Sequence, residues 1–325
     1  MLHLLDPVID YIPQFDAVVA IISNGFSKIF SRFHWAALLS ALALATLCWW
    51  VQRSAIPPQA RSGLLAWMFP RSIWLHRSAL LDYRFVLFDK LMIAALAAIG
   101  AMLFLQPGSG ADELFSSDGD DHSLTILLAY TLALLVVEDF CRYWAHRIMH
   151  MSPLLWQFHK VHHSPEVLVP FSQMRSHPVN GIVNLLRSAV AIGSVTGVFL
   201  LLFPGELTVL SIFGINAGRF LFDVMGSNLR HSHVWLSFGP RLSYLFISPA
   251  QHQIHHSRDP KHFNTNYGSQ FALWDWMFGT LYVPQKPEKL RFGIDRDSTR
   301  RMQSVSALYI EPFRDALAEL RRSRP

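Results

Sequence analysis

Several stretches of this chain are too apolar and too long for its own surface to cover. The first, WAALLSALALATLCWWV, runs from Trp35 to Val51 with tryptophans near both ends; others cover roughly 85–105, 123–137, 182–203 and 206–225. A chain entering hydrocarbon must satisfy its backbone N–H and C=O groups internally, which leaves the helix or the closed barrel. Continuous apolar runs approaching about 20 residues, rather than short alternating ones, select the helix. The fold is therefore predicted to be all-α and multi-span. Composition agrees, with 51% hydrophobic and only 16% charged residues among 325.

A formal charge of +5 and a pI near 9.4 would also suit a nucleic-acid binder. The membrane reading absorbs that charge, because basic loops mark the cytoplasmic side, and it leaves no role for nucleic acid. Arg53, Arg61, Arg71, Arg77 and Arg84 follow the first run, whereas QPGSGADELFSSDGDDH (106–122) holds five acids and no Lys or Arg. That asymmetry places the acidic loop outside and brings the third run back to the cytoplasm just before His146. The runs 182–203 and 206–225, joined by Pro204-Gly205, read as a helical hairpin whose ends return to one face. Three regions result: an N-terminal membrane region (1–122), a central domain (123–284) and a basic tail (285–325). Ile310, Phe313, Leu317 and Leu320 give that tail the spacing of an amphipathic helix lying on the domain or the membrane surface. The expected location is a multi-pass integral membrane protein, in the inner membrane if the source is bacterial. The first Lys or Arg is Lys28, so no charged leader of a cleavable signal is read. Cys48 and Cys141, both in or beside apolar runs, are expected to be inert thiols.

Histidine carries the chemistry. HRIMH sets His146 and His150 four residues apart, one helical turn on one face. FHKVHHS and QHQIHHS repeat one pattern, with His159, His162 and His163 in one copy and His252, His255 and His256 in the other. In HxxHH the i+3 and i+4 rings both approach the first but diverge by about 100° around the axis, so one triplet can serve two neighbouring metals. A lone histidine is more often a satisfied polar residue than a ligand. Eight of them converging on one membrane face without metal would crowd unpaired or mutually repelling rings together. Two ions with four or five nitrogens each use the set. Iron is the candidate for a nitrogen-rich redox pair, and a cytoplasmic-face helical cap is expected to hold it.

HRIMH, HKVHH, RSHPVN and HQIHHSRD, followed by NTNYGSQFALWDWMFGTLYVP, resemble the fatty acid hydroxylase and sterol desaturase superfamily from about Leu124 to Pro284. Asn264 stands where many members have Asp. The resemblance implies two further ligands, His177 in SHP and His231 in NLRHSHVW, with His233 as the second choice at the latter place. Asp139 lies two turns before His146 and could orient a ligand ring or pair with Arg142 or Arg147; Asp275 could orient a ring or cap a helix. The implied activity is O2-dependent hydroxylation or desaturation of a lipid drawn from the bilayer. The sequence shows no haem, iron–sulfur or nucleotide fingerprint, so an external ferredoxin or cytochrome-type donor is expected. The competing class is a membrane metal transporter, which would string ionisable residues along a pathway through the spans.

Overall fold

The computed structural model describes residues 35–54, 62–104, 123–203, 211–212 and 215–322. The acidic segment 106–122 and the first 34 residues lie outside the described residues. Among the described residues three helices are long and apolar enough to cross a membrane: α1 (Trp35–Arg53), α3 (Leu124–Met151) and α5 (Pro178–Leu202). Their outer faces are bare leucine and valine, with Leu132, Leu186 and Val190 all more than half exposed, as lipid-facing surfaces require. Buried Tyr130, Leu134 and Val195 join α3 to α5, and the hydroxyls of Tyr130 and Thr196 lie 2.8 Å apart.

One expected span comes out differently, and another falls partly on side chains outside those described. The second run forms the later part of α2 (Arg77–Phe104), in which the side chains of residues 97–104 are outside the described ones. Its first half carries Asp82, Arg84, Asp89 and Lys90, and Leu81 and Phe85 are buried against Val161, Ile294, Met302 and Leu308. That half belongs to a polar cap. Among the described residues the return arm of the hairpin is not a second long helix. A two-residue antiparallel pairing of β1 (Ser211–Ile212) with β2 (Ile215–Asn216) leads into the eight-residue α6 (Ala217–Val224). Apart from that pairing and the isolated bridge Phe246–Phe271, the described residues form helices, turns and loops.

The cap places the histidines through short helices with defined starts. Ser152 caps α4 (Pro153–His163), accepting from the Leu155 N–H, with Pro153 set for the first turn. Ser248 and Gln251 form a reciprocal capping box on α7 (Pro249–His255). Each cap fixes where the helix begins, and hence the azimuth at which its HxxHH emerges. The short α8 (Leu273–Met277) and the tail helix α9 (Val305–Arg322) complete the layer. Lys160, buried on α4, donates to Asp315 of α9 at 2.7 Å. The apolar stripe of α9 points away from the protein: Ile310, Phe313 and Leu317 are half exposed, while Leu308, Pro312 and Ala316 face inward.

Arg175 locks α2 to the loop that follows α4. Almost wholly buried, it donates to Asp82 through Nε, to the Ser78 carbonyl at 2.6 Å and to Ser164 Oγ at 3.1 Å. Ser172 adds a bond to the second Asp82 oxygen at 2.6 Å. Asp82→Ala strands the guanidinium and is expected to cost about 3–5 kcal/mol, whereas Asp82→Leu with Arg175→Met should regain most of that. Chemical unfolding in detergent measures both; equal losses in the single and double variants would mean that the stranded charge is not the cause.

Candidate metal centre

The last two turns of α3 present His146 and His150, with ring centroids 5.0 Å apart. Around them the described residues hold two groups of rings. One contains His146, His150, His159, His163 and His255, the other His162, His231, His252 and His256; within each group one ring nitrogen per residue lies within 4.8 Å of the others. The two HxxHH copies divide reciprocally. The first sends its i and i+4 rings to the five-membered group and its i+3 ring to the other; the second does the reverse. Rings four apart share a helix face, and the intervening ring crosses to the neighbouring group. His163 and His256, stacked with centroids 4.4 Å apart, form the wall between them.

The second group has the geometry of a coordination shell. The Nε2 atoms of His231, His252 and His256 form a triangle with sides of 3.0, 3.2 and 3.3 Å. With a metal–nitrogen bond of about 2.1 Å, donors around an octahedral ion stand about 3.0 Å apart and around a tetrahedral ion about 3.4 Å. Three imidazole nitrogens cannot all satisfy one another this way, since each contact needs one proton between two lone pairs. In the first group Nε2 of His150, His159, His163 and His255 is buried with no hydrogen-bond partner. Orphaned nitrogens at this density are costly in a protein interior, and a cation removes the cost. The residues fit a pair of metal ions.

Backbone carbonyls set the tautomers. Nδ1 of His146 donates to the Tyr267 carbonyl and that of His255 to the Thr265 carbonyl, each at 2.8 Å; His162 reaches the Arg175 carbonyl at 3.3 Å. A carbonyl can only accept, so Nδ1 holds the proton and Nε2 keeps its lone pair turned inward. Burial, followed by the neighbouring rings, holds His159, His163 and His256 well below the usual imidazole range, and burial does the same for His252 and His255. These rings are neutral at pH 7, the form a metal requires.

The loop supplying those carbonyls is tightly specified. Asn264 and Asn266 sit at φ 60° and 56°, in the left-handed region that asparagine tolerates best after glycine. A Cβ on Gly268 would fall 2.5 Å from the Phe271 carbonyl and 2.7 Å from Asp275 Oδ2. Asn266 bonds the Gln251 carbonyl and both polar backbone groups of Tyr282. Asp275, fully buried, accepts from the Tyr267 N–H at 2.8 Å, the Gly268 N–H at 2.7 Å and Thr280 Oγ1 at 2.6 Å. It orients the carbonyl loop rather than a ring. These backbone groups and Asn266 were not singled out from the sequence; the two asparagines and the glycine of NTNYG are the signal that marks them.

Asp139 also has a different task from the one expected. Its oxygens accept from the N–H groups of Gln270 and Phe271 and from the Trp274 indole at 3.0–3.1 Å, so it anchors the loop before α8 and reaches no histidine. His231 joins the second group, whereas the structure places His177 outside both. Its Nε2 donates to the Tyr309 carbonyl and its Nδ1 accepts from the Val179 N–H, capping α5. His233 stands apart as well, bonded to the Trp67 carbonyl at 2.8 Å.

Nine imidazoles gathered at the end of membrane-length helices define a histidine-rich membrane protein whose rings could hold metal. Residues 131–280, a little under half of the chain, match the fatty acid hydroxylase family model. An ornithine lipid hydroxylase from Rhizobium tropici is 30% identical over 171 residues, 51% of this chain and 46% of that protein. A delta(7)-sterol 5(6)-desaturase from Gibberella zeae is 29% identical, covering 59% and 48% of the two chains. An alkylglycerol monooxygenase from Xenopus tropicalis is 28% identical, covering 48% and 31%. The chain thus spans half or less of the length of these relatives. No solved structure matches it.

Asp275→Ala removes the acceptor for three buried donors without touching a ring. It is expected to weaken metal retention by about 10–100-fold, as loss of ligand-orienting groups does. Chelator competition on the purified protein measures this, and unchanged retention would detach the loop from the site.

Proposed function

We propose that the protein is a membrane-bound, O2-dependent di-iron oxidoreductase acting on an unactivated C–H bond of a lipid. The reciprocal division of the two HxxHH copies into adjoining nitrogen-donor groups carries this reading. The relatives support it, since they bear the names of lipid and sterol hydroxylases and desaturases, and the comparisons lend the metal-transporter reading no support. His146, His150, His159, His163 and His255 would hold one iron; His162, His231, His252 and His256 would hold the other. The two irons would supply O2 activation and hydrogen removal.

The chain's own residues hold and shield that site. Carbonyls of residues 265 and 267 fix ring tautomers, and Trp156 and Phe263 narrow a cavity of about 520 Å3 beside His150, His163, His255 and His256. Arg258 and Arg296 line the same opening, a surface suited to an acidic electron donor. Hydroxylation places one oxygen atom in the C–H bond and releases the other as water, with two electrons and two protons from outside. An external ferredoxin or cytochrome-type protein would deliver the electrons. Hydroxylation is favoured over desaturation because the latter needs a second C–H within reach.

His163→Ala and His256→Ala, one in each group at the shared wall, should each abolish oxidation while the protein remains membrane-inserted. Mass spectrometry of lipids from cells with and without the active chain should show a species heavier by one oxygen. Turnover by either metal-analysed variant would remove that residue from the ligand set, and a loss of two hydrogens alone would identify a desaturase. The histidine groups are proposed to face the cytoplasm. A cysteine at Ser117, within the acidic loop, should then react with impermeant reagent from the outer side; labelling only from inside would reverse the topology.

A further inference from the structure

Two cavities separate the lipid-facing helices from the histidine groups, and one side chain lines both. The bilayer-side cavity, about 230 Å3, has Leu134, Leu135 and Ile192 in its wall, with Glu138, Arg142 and Arg219 beside them. The site-side cavity, about 190 Å3, touches five of the histidines and is otherwise largely polar, with Gln173, Asn184 and Ser269 among its lining. Arg142 belongs to both. Leu134, Glu138, Arg142 and His146 follow at four-residue steps on α3, each step rising about 6 Å along one helix face. One face therefore leads from hydrocarbon to the histidines through Arg142.

The charges along this path are unevenly matched. Arg142 is electrostatically coupled to Arg187, Arg219 and Arg230, so four guanidiniums share the region with three carboxylates, Glu138, Asp139 and Asp223. Each carboxylate is already engaged. Glu138 takes Ser188 at 2.5 Å and Arg187 at 3.4 Å. Asp139 holds its three N–H donors, and Asp223 takes Ser227 at 2.9 Å and Arg219 at 3.7 Å. Among the described residues Arg142 has neither a hydrogen bond nor an ion pair within 4.0 Å. Half-buried Arg142 is attracted by Glu138 and Asp139 only at longer range, and facing two cavities it offers its guanidinium to a direct anionic partner.

We propose that Arg142 binds the anionic group, phosphate or carboxylate, of a lipid whose chain occupies the cavity between α3 and α5. The polar cavity beyond receives the rest of the head group. The carbons presented to the histidines are then those within a few bonds of the anion, and the far end of the chain stays in the bilayer. A cavity of about 190 Å3 with amide and hydroxyl walls suits such a segment better than a fused-ring body or a chain terminus. The inference rests on the oxygenase reading for the reaction that follows; the binding step stands independently of it.

The test uses the full chain in neutral detergent, incubated with phosphatidylglycerol, palmitate or a neutral diacylglycerol, with bound lipid counted by native mass spectrometry. Retention of at least one anionic lipid over diacylglycerol is expected, and the two anionic arms tell phosphate from carboxylate. Arg142→Gln should lower that retention by about tenfold or more, with Arg142→Lys intermediate. Ile192→Trp, at a position 45% exposed and therefore tolerant of bulk, should lower it by filling the chain cavity with the guanidinium intact. Equal retention of anionic and neutral lipid, retention of neither anionic lipid, or unchanged retention in Arg142→Gln would overturn the proposal. Iron measured on the same samples separates the two readings. A failed inference leaves iron bound without lipid preference, and a failed metal assignment leaves the wild type without iron.

Discussion

Neutral imidazole in a dry interior is the constraint on which the structure depends. Nine rings in two adjoining groups bring their nitrogens close enough to repel if protonated and to compete for protons if not. Burial suppresses protonation of His159, His163 and His255, and carbonyl acceptors turn Nε2 of His146 and His255 inward. What is left is a concentration of lone pairs that only cations satisfy. The capped starts of α4 and α7, the strained NTNYG loop and the buried carboxylate of Asp275 all maintain that arrangement.

The membrane and the cap divide the work. α1, α3 and α5 offer leucine-rich faces to lipid, while α2, α4, α7 and α9 close over the histidines through Arg175, Lys160 and a small apolar core. Only α3 takes part fully in both. It is long and apolar enough to cross a membrane and ends in HRIMH, so the histidine groups lie at the end of a membrane-length helix. A lipid could reach such a site with little of its chain leaving the bilayer.

Much of this was legible in residue types. The long apolar runs announce α1, α3 and α5, and the HxxHH repeat points to two groups because its azimuths let one triplet serve two neighbours. The division of rings between groups was not legible, since it depends on how α4 and α7 cross. Asp139 was misread because spacing along a helix says nothing about the loop packed on its other side. Carbonyls that orient rings carry no sequence signature except the asparagines and glycine that bend the loop. The broken return arm after α5 shows the limit of hydropathy: a run of apolar residues does not reveal which part is packed against protein.

The central claim is that two nitrogen-donor groups hold two ions side by side. Iron quantification combined with X-ray absorption at the iron edge, on the purified full chain, tests it most directly. The expected result is about two irons per chain, each with a shell of imidazole nitrogen at about 2.1 Å and a second iron nearby. A single iron per chain, or a shell containing sulfur, would contradict it.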